Sequence, residues 1–253
     1  MSIRPIPALL VVVPMLAGAL WQPHDPDAID LALRFAPNSW SHWLGTDQFG
    51  RDLLSRLMVG GWRTAIVLVC VAAIGMVGGC AFGIAAAMIG GWRGAWILRT
   101  AEMFIVVPTL IVALTVAAIF GLSPLTAGAA LGLAGLGPYT LFAYALAQRL
   151  LAEPFVQAAR ALGVGGLSLV LRHIVPNMVP VLFAHIGSNG GLAVTAYASL
   201  AFLGLGADPS RPDWGAMLFE YRMFIFDHPM MMVWPGVAIA IVAGALNASF
   251  DAD

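Results

Sequence analysis

The chain has 253 residues, of which 60% are hydrophobic and only 10% charged, with a mean hydropathy of +0.90. So few polar groups cannot cover a soluble surface, so the composition excludes a soluble globular protein and points to a polytopic membrane protein. A net charge of -1, without a basic patch or interleaved aromatic stripe, gives no footing for nucleic acid.

Taken in order, Ile6 to Trp21 is an apolar run preceded by Arg4. It reads as a first spanning helix in preference to a signal-peptide core, although Ala17-Gly18-Ala19 resembles a cleavage site. Gln22 to Gly61 is the most polar stretch, with Asp25, Asp27, Asp30, Asp47 and Asp52, and is expected outside the membrane. Within it Gly45-Thr46-Asp47 predicts a turn and helix cap, and Arg51 to Met58 a helix lying at the interface. The ordinary alternative for Asp47, Arg51 and Asp52 is a solvated turn with local ion pairs; a structural role is expected over substrate contact.

Trp62 to Gly90 predicts a second span, in which Gly75, Gly79 and Gly83 put small residues on one face for close helix contact. Cys70 and Cys80 fall inside it and read as small hydrophobes, not a disulfide or a metal pair. A third span runs from about Ala95 to Phe120, with Arg99 and Glu102 one turn apart, expected to neutralise each other, and Pro108 as a kink. Leu122 to Pro124 is a tight turn. A Gly- and Ala-rich fourth span follows from about Leu125 to Leu146.

Glu153 to Asn177 is a polar, helix-prone island between apolar segments. Pro154 suits a helix start, Gln157 to Leu162 are good helix formers, and Gly163, Gly165 and Gly166 end the helix. A second amphipathic run, Leu167 to Ile174, is expected to stop before Pro176. The fifth span, about Val179 to Leu203, is the most polar, holding His185, Ser188, Asn189, Thr195, Tyr197 and Ser199. Polar groups at membrane depth face a cavity or a partner helix. His185, Ser188, Asn189, Thr195 and Tyr197 are therefore candidates to line a translocation path, with interhelical hydrogen bonding as the alternative for His185 and Asn189. No second ligand accompanies His185 at metal spacing, so no metal site is expected. The last span covers about Met230 to Ala248, and residues 250–253 read as a short cytoplasmic tail.

Three stretches resemble one family. The segment QAARALGVGGLSLVLRHIVPN resembles the EAA loop of ABC importer permeases: Ala158, Ala159 and Gly163 match, Ile174 to Asn177 close the motif, and Gln157 stands where Glu is usual. Leu44 to Asp47 and Gly50 to Asp52 match the LGTDxxGRD stretch of the dipeptide, oligopeptide and nickel branch, the shorter second-permease type. Ser199 to Gly206, with Pro209, Trp214 and Gly215, resembles that branch's LSFLGLG...P...WG signature, Tyr197 standing where peptide-transporting relatives commonly carry Glu.

This resemblance implies an all-α polytopic membrane protein of about six transmembrane helices with a cytoplasmic coupling-helix loop, the type I ABC importer permease fold. Residues 1–61 would supply the first helix and an external segment, and 62–249 the permease core, with the coupling loop at 153–177 and an external loop at 206–228. Gln157, Ala158, Ala159, Arg160, Gly163, Ile174 and Pro176 would couple to an ATPase subunit. The implied partners are a sister permease (a heterodimer), two ABC ATPase subunits that bind ATP and Mg, and a periplasmic or lipid-anchored substrate-binding protein, together with membrane lipid. The chain itself would hold no cofactor and no catalytic residue, in a bacterial inner membrane.

The arginines divide six to six between the two sides. The orientation therefore rests on the loop resemblance and not on charge. Nickel or a metal chelate such as an opine metallophore is the expected cargo, on the stretch Arg222 to Gly236, with di- or oligopeptides as the alternative. The chain lacks a GxxxxGK[ST] phosphate loop and the nucleophile and metal motifs of an intramembrane enzyme. A secondary transporter would show more spans, repeated halves and intramembrane acids, whereas the one acid within a span here is Glu102, near an end.

Overall fold

The computed structural model describes residues 5–204 and 211–250. These form helices joined by turns, with no strand among them beyond an isolated bridge between Thr46 and Asp52. The order is α1 (Pro5–Leu20), a 3-10 turn at Leu31–Leu33, α2 (Leu53–Ile89), α3 (Gly91–Val106), α4 (Thr109–Phe120), α5 (Pro124–Ala152), α6 (Pro154–Ala161), α7 (Gly166–Leu169), α8 (Val175–Phe202), α9 (Trp214–Tyr221) and α10 (Met230–Phe250).

Four stretches are long and apolar enough to cross a membrane: α2, α5, Gly166–His185 at the start of the α7–α8 rod, and Met230–Ser249. The all-helical polytopic expectation therefore holds. Three of the expected spans differ. Where the fifth was expected from about Val179 to Leu203, the qualifying stretch is Gly166–His185, which begins inside the 153–177 loop. The third is broken at Val107–Pro108 into α3 and α4, bent by 78° and counting as a fifth span only when taken together. Val107 is extended (ψ 121) because the following Pro disfavours helical backbone there. α1 has 16 residues, a rise of about 24 Å against a hydrocarbon core of about 30 Å.

The interfacial helix expected at Arg51 to Met58 is not a separate element. Asp52 caps α2 by accepting the Ser55 N–H, and the helix then runs unbroken to Ile89 through a π-helical stretch at Ala72–Gly78. The expected stop before Pro176 is likewise absent: a π stretch, Val170–Ile174, joins α7 to α8, and Pro176 sits in the first turn of α8, where its missing N–H does least harm. The tight turn before α5 is a capping box, with Ser123 and Thr126 bonded reciprocally and Pro124 at the first helical position.

α5 is the axis of the bundle and packs against α2, α3, α4 and α8. The small face of α2 makes this possible. A Cβ on Gly83 would lie 2.4 Å from the Thr140 carbonyl oxygen and one on Gly79 2.5 Å from Tyr139 Cβ, so only glycine admits this approach. Both cysteines are unpaired, Cys80 buried and Cys70 partly so. Arg99 and Glu102 are both exposed and take no part in the ion pairs of the described residues, against the expectation that they neutralise each other.

Candidate functional site

The loop at 153–177 is built on the end of α5. Glu153 (ψ 142) interrupts the helix, and Pro154 restarts it as α6. Val156, Ala159, Leu169 and Ile174 turn inward, into one core with Ala143, Ala147 and Leu151 of α5 and Cys80, Ile84 and Ala87 of α2. Gln157 donates from Nε2 to the Leu151 carbonyl at 2.8 Å, so the amide that replaces the usual carboxylate ties α6 to the last turn of α5. Gly163 ends α6 at φ +86, a left-handed backbone suited to glycine, with its N–H bonded to the Arg160 carbonyl at 2.9 Å.

The residues expected to couple therefore divide into two groups. Gln157, Ala158, Arg160, Gly163 and Pro176 are exposed, whereas Ala159 and Ile174 are buried and hold the loop in place. A bulky residue at Ala159 would disturb that seating and not only a partner's footprint. Four large apolar side chains that the sequence reading passed over lie exposed on this polar loop: Phe155 (43%), Leu162 (86%), Leu167 (70%) and Leu171 (58%). Leu167 and Leu171 stand two positions either side of the inward-facing Leu169, on the opposite side of the helix, whereas Phe155 and Leu162 flank the buried Ala159 on its own face, so sequence spacing did not mark them.

The opposite end is closed by a charged network instead of a solvated turn. Asp47, Arg51, Asp52 and Arg56 are all nearly inaccessible, Asp47 at 0%. Asp47 accepts from the Phe49 and Arg51 N–H groups at 2.8 and 3.0 Å and from Arg51 Nε at 2.6 Å, and lies 3.3 Å from the Tyr221 hydroxyl. Arg51 and Arg56 both reach Glu220 of α9, and Gln48 donates to the same carboxylate at 2.7 Å. Burial works against the Arg51 charge, but Asp47 and Glu220 outweigh it and hold its pKa above the ordinary value. Each charge in the network faces an opposite one, the condition under which buried charges are tolerated, although Gln48 Oε1 and Arg56 Nε make no hydrogen bond and Arg56 Nε stands 3.8 Å from Asp47.

α9 is locked onto the bundle by the Trp-Gly pair. Trp214 donates from Nε1 to the Leu57 carbonyl at 2.8 Å, and a Cβ on Gly215 would sit 2.1 Å from the Ala198 carbonyl oxygen, so α9 lies directly against α8. Asp213 caps α9 through the Gly215 N–H at 3.2 Å and accepts the Tyr197 hydroxyl, with Arg63 Nε at 3.6 Å. Burial pushes the Asp213 carboxyl above the usual range, against the pull of the Tyr197 hydroxyl and Arg63. The Leu205 to Ser210 part of the signature lies outside the described residues.

Of the path candidates, Tyr197 is 2% exposed and committed to Asp213. His185 is half-buried, stacked on Phe142 at 4.0 Å and edge-on to Tyr139 at 5.3 Å. Asn189, also half-buried, bonds back to the His185 carbonyl at 2.9 Å. Thr195 alone is exposed, with Ser199 a turn further on. The side chain of Ser188 lies outside those described.

A bundle of membrane-spanning helices, with a seated helix-turn-helix loop at one end and a charged cap at the other, defines a transport subunit. The family described as "Binding-protein-dependent transport system inner membrane component" matches residues 79–252, and the chain belongs to it. It is 34% identical to the probable D,D-dipeptide transport system permease protein DdpC of Escherichia coli (strain K12), over 96% of this chain and 83% of that one. It is 32% identical to the nickel transport system permease protein NikC of the same strain, over 97% and 88%. A putative peptide transport system permease protein of Brucella suis biovar 1 (strain 1330) is 31% identical over 94% and 81%. The chain is thus a multi-pass inner-membrane permease of an ABC importer, of the dipeptide and nickel type.

Proposed function

We propose that this subunit forms half of a translocation pathway with a sister permease and carries a small peptide inward. Two partner ATPases bind and hydrolyse ATP with Mg, and their closure is transmitted through residues 153–177. A periplasmic or lipid-anchored binding protein delivers the cargo to the opposite end, and this chain performs no catalysis. The observation that supports the coupling is that Phe155, Leu162, Leu167 and Leu171 are exposed on a loop that Val156, Ala159, Leu169 and Ile174 anchor in the core.

For the cargo, the exposed face of α8 presents Leu192, Thr195 and Ser199. The two hydroxyls donate to carbonyls of their own helix, at 3.1 and 2.8 Å. This suits a solvated organic cargo better than a bare ion, which needs ligands in exchange for its water. Tyr197 turns away from this face, so its difference from peptide-transporting relatives does not count against peptides. Nickel, free or chelated, is the second reading, favoured by the 32% identity to NikC.

Uptake of labelled dipeptide and of labelled nickel, with and without chelators, in cells lacking the chain and in cells with it restored separates the two. Restoration of dipeptide uptake alone is the expected result. Restoration of nickel uptake alone would overturn the peptide reading and leave the family assignment standing.

A further inference from the structure

At the end opposite the coupling loop, three side chains far apart in sequence converge. His24 follows α1, His42 lies in the next turn and Asp52 caps α2, and one ligand atom from each lies within 4.8 Å of the others. Each is positioned independently. The His24 N–H donates to Ser55 Oγ at 3.0 Å, and its ring Nε2 lies 2.6 Å from the Ser41 carbonyl oxygen. The His42 N–H donates to Ser39 Oγ at 3.0 Å. Asp52 uses Oδ2 for the Ser55 N–H and hydroxyl, both at 2.8 Å, which leaves Oδ1 facing His42 Nδ1 at 2.9 Å.

An ion pair between His42 and Asp52 accounts for two of these residues but not for His24, whose ring lies 4.6 Å from that of His42 at a tilt of 30°. Two imidazoles beside a buried carboxylate are a chelating set.

We propose that His24, His42 and Asp52 bind one divalent late transition-metal ion, of the nickel or zinc class. Two imidazoles and one carboxylate match the preferences of these ions and not those of Mg or Ca, which favour oxygen ligands. Ligands about 2.1 Å from one ion lie about 3 to 4 Å apart. His42 Nδ1 and Asp52 Oδ1 already stand at that separation, and an inward swing of the exposed His24 ring by about an ångström completes the set. Binding at His42 Nδ1 takes the place of its hydrogen bond to Asp52 Oδ1, and the ring carries its proton on Nε2. The ion clips the segment after α1 to the start of α2, and it does so whatever cargo the importer carries.

The test uses the complete purified transporter, with a histidine-free affinity tag, stripped by chelator and titrated with Ni(II) or Co(II). Calorimetry reads the stoichiometry, and the Co(II) visible bands read the ligand set. One ion per permease chain is expected beyond any bound elsewhere in the complex. His24→Ala removes an exposed ring without touching the core, and Asp52→Asn keeps an N-cap while removing the charge. Each should weaken binding at least tenfold and change the Co(II) bands, with the assembled complex unchanged on gel filtration. Equal stoichiometry and affinity in the wild type and both variants, or no equimolar binding in the wild type, overturns the site.

Discussion

Leu162→Ala tests the coupling surface at its most exposed point. Leu162 is 86% exposed at the end of α6. The substitution removes three carbons, worth about 2.4 kcal/mol when fully buried at about 0.8 kcal/mol each. Scaled by the exposure still available to a partner, the loss on docking is about 2 kcal/mol, or roughly 30-fold in affinity. The isolated subunit loses almost nothing, because the side chain packs on nothing within it. Two measurements follow: the amount of ATPase that co-purifies with the permease over a concentration series, and ATP-driven uptake in proteoliposomes. Both should fall, with the melting temperature of the permease alone unchanged. Wild-type retention of the ATPase together with wild-type uptake would refute the assignment of this surface to coupling.

Two further outcomes follow from the packing. Gly83→Ala should cost about 1 to 3 kcal/mol, because its Cβ meets the Thr140 carbonyl oxygen at 2.4 Å. Gly90→Ala lies in open space, but at φ +62 and ψ -166, a backbone region nearly confined to glycine, it should also cost about 1 to 3 kcal/mol. Thermal melts of the two variants in detergent measure both losses, and an unchanged melt for Gly83→Ala would show that the α2–α5 contact relaxes freely. Tyr197→Phe takes a hydroxyl from the buried Asp213 and should lower stability by about 1.5 to 3 kcal/mol. The ratio of peptide to nickel uptake should stay the same, and a shifted ratio would put Tyr197 back on the translocation path.

Much of this was legible in the sequence because the signals are local. The glycine face of α2, the Ser123-Pro124 start of α5 and the Pro154 and Gly163 limits of α6 each follow from short-range chemistry, and the structure keeps them. What could not be read depends on which residues meet across the fold. Asp47 and Arg51 look like a solvated turn until Glu220 and Tyr221 close over them. Tyr197 looks like a path residue until Asp213 takes its hydroxyl. His24, His42 and Asp52 have no motif spacing because the turn between α1 and α2 alone brings them together. The inward and outward halves of the 153–177 loop were only partly legible, since motif matching marks Ala159 and Ile174 without saying which way they point.

The π stretch at Ala72–Gly78 has a consequence for the whole of α2. Upstream of it the helix presents Gly60 to Trp214, and downstream Gly79 and Gly83 to α5. Val67 and Cys70, before the wide turns, already meet Gly128 of α5, and the wide turns keep Gly79 and Gly83 in phase with that same side. Loss of one residue there would turn the downstream glycines away from α5 by about 100°. The length of this helix is therefore set by angle as much as by membrane thickness, and the chain is free to gain or lose residues only where no such phase has to be kept.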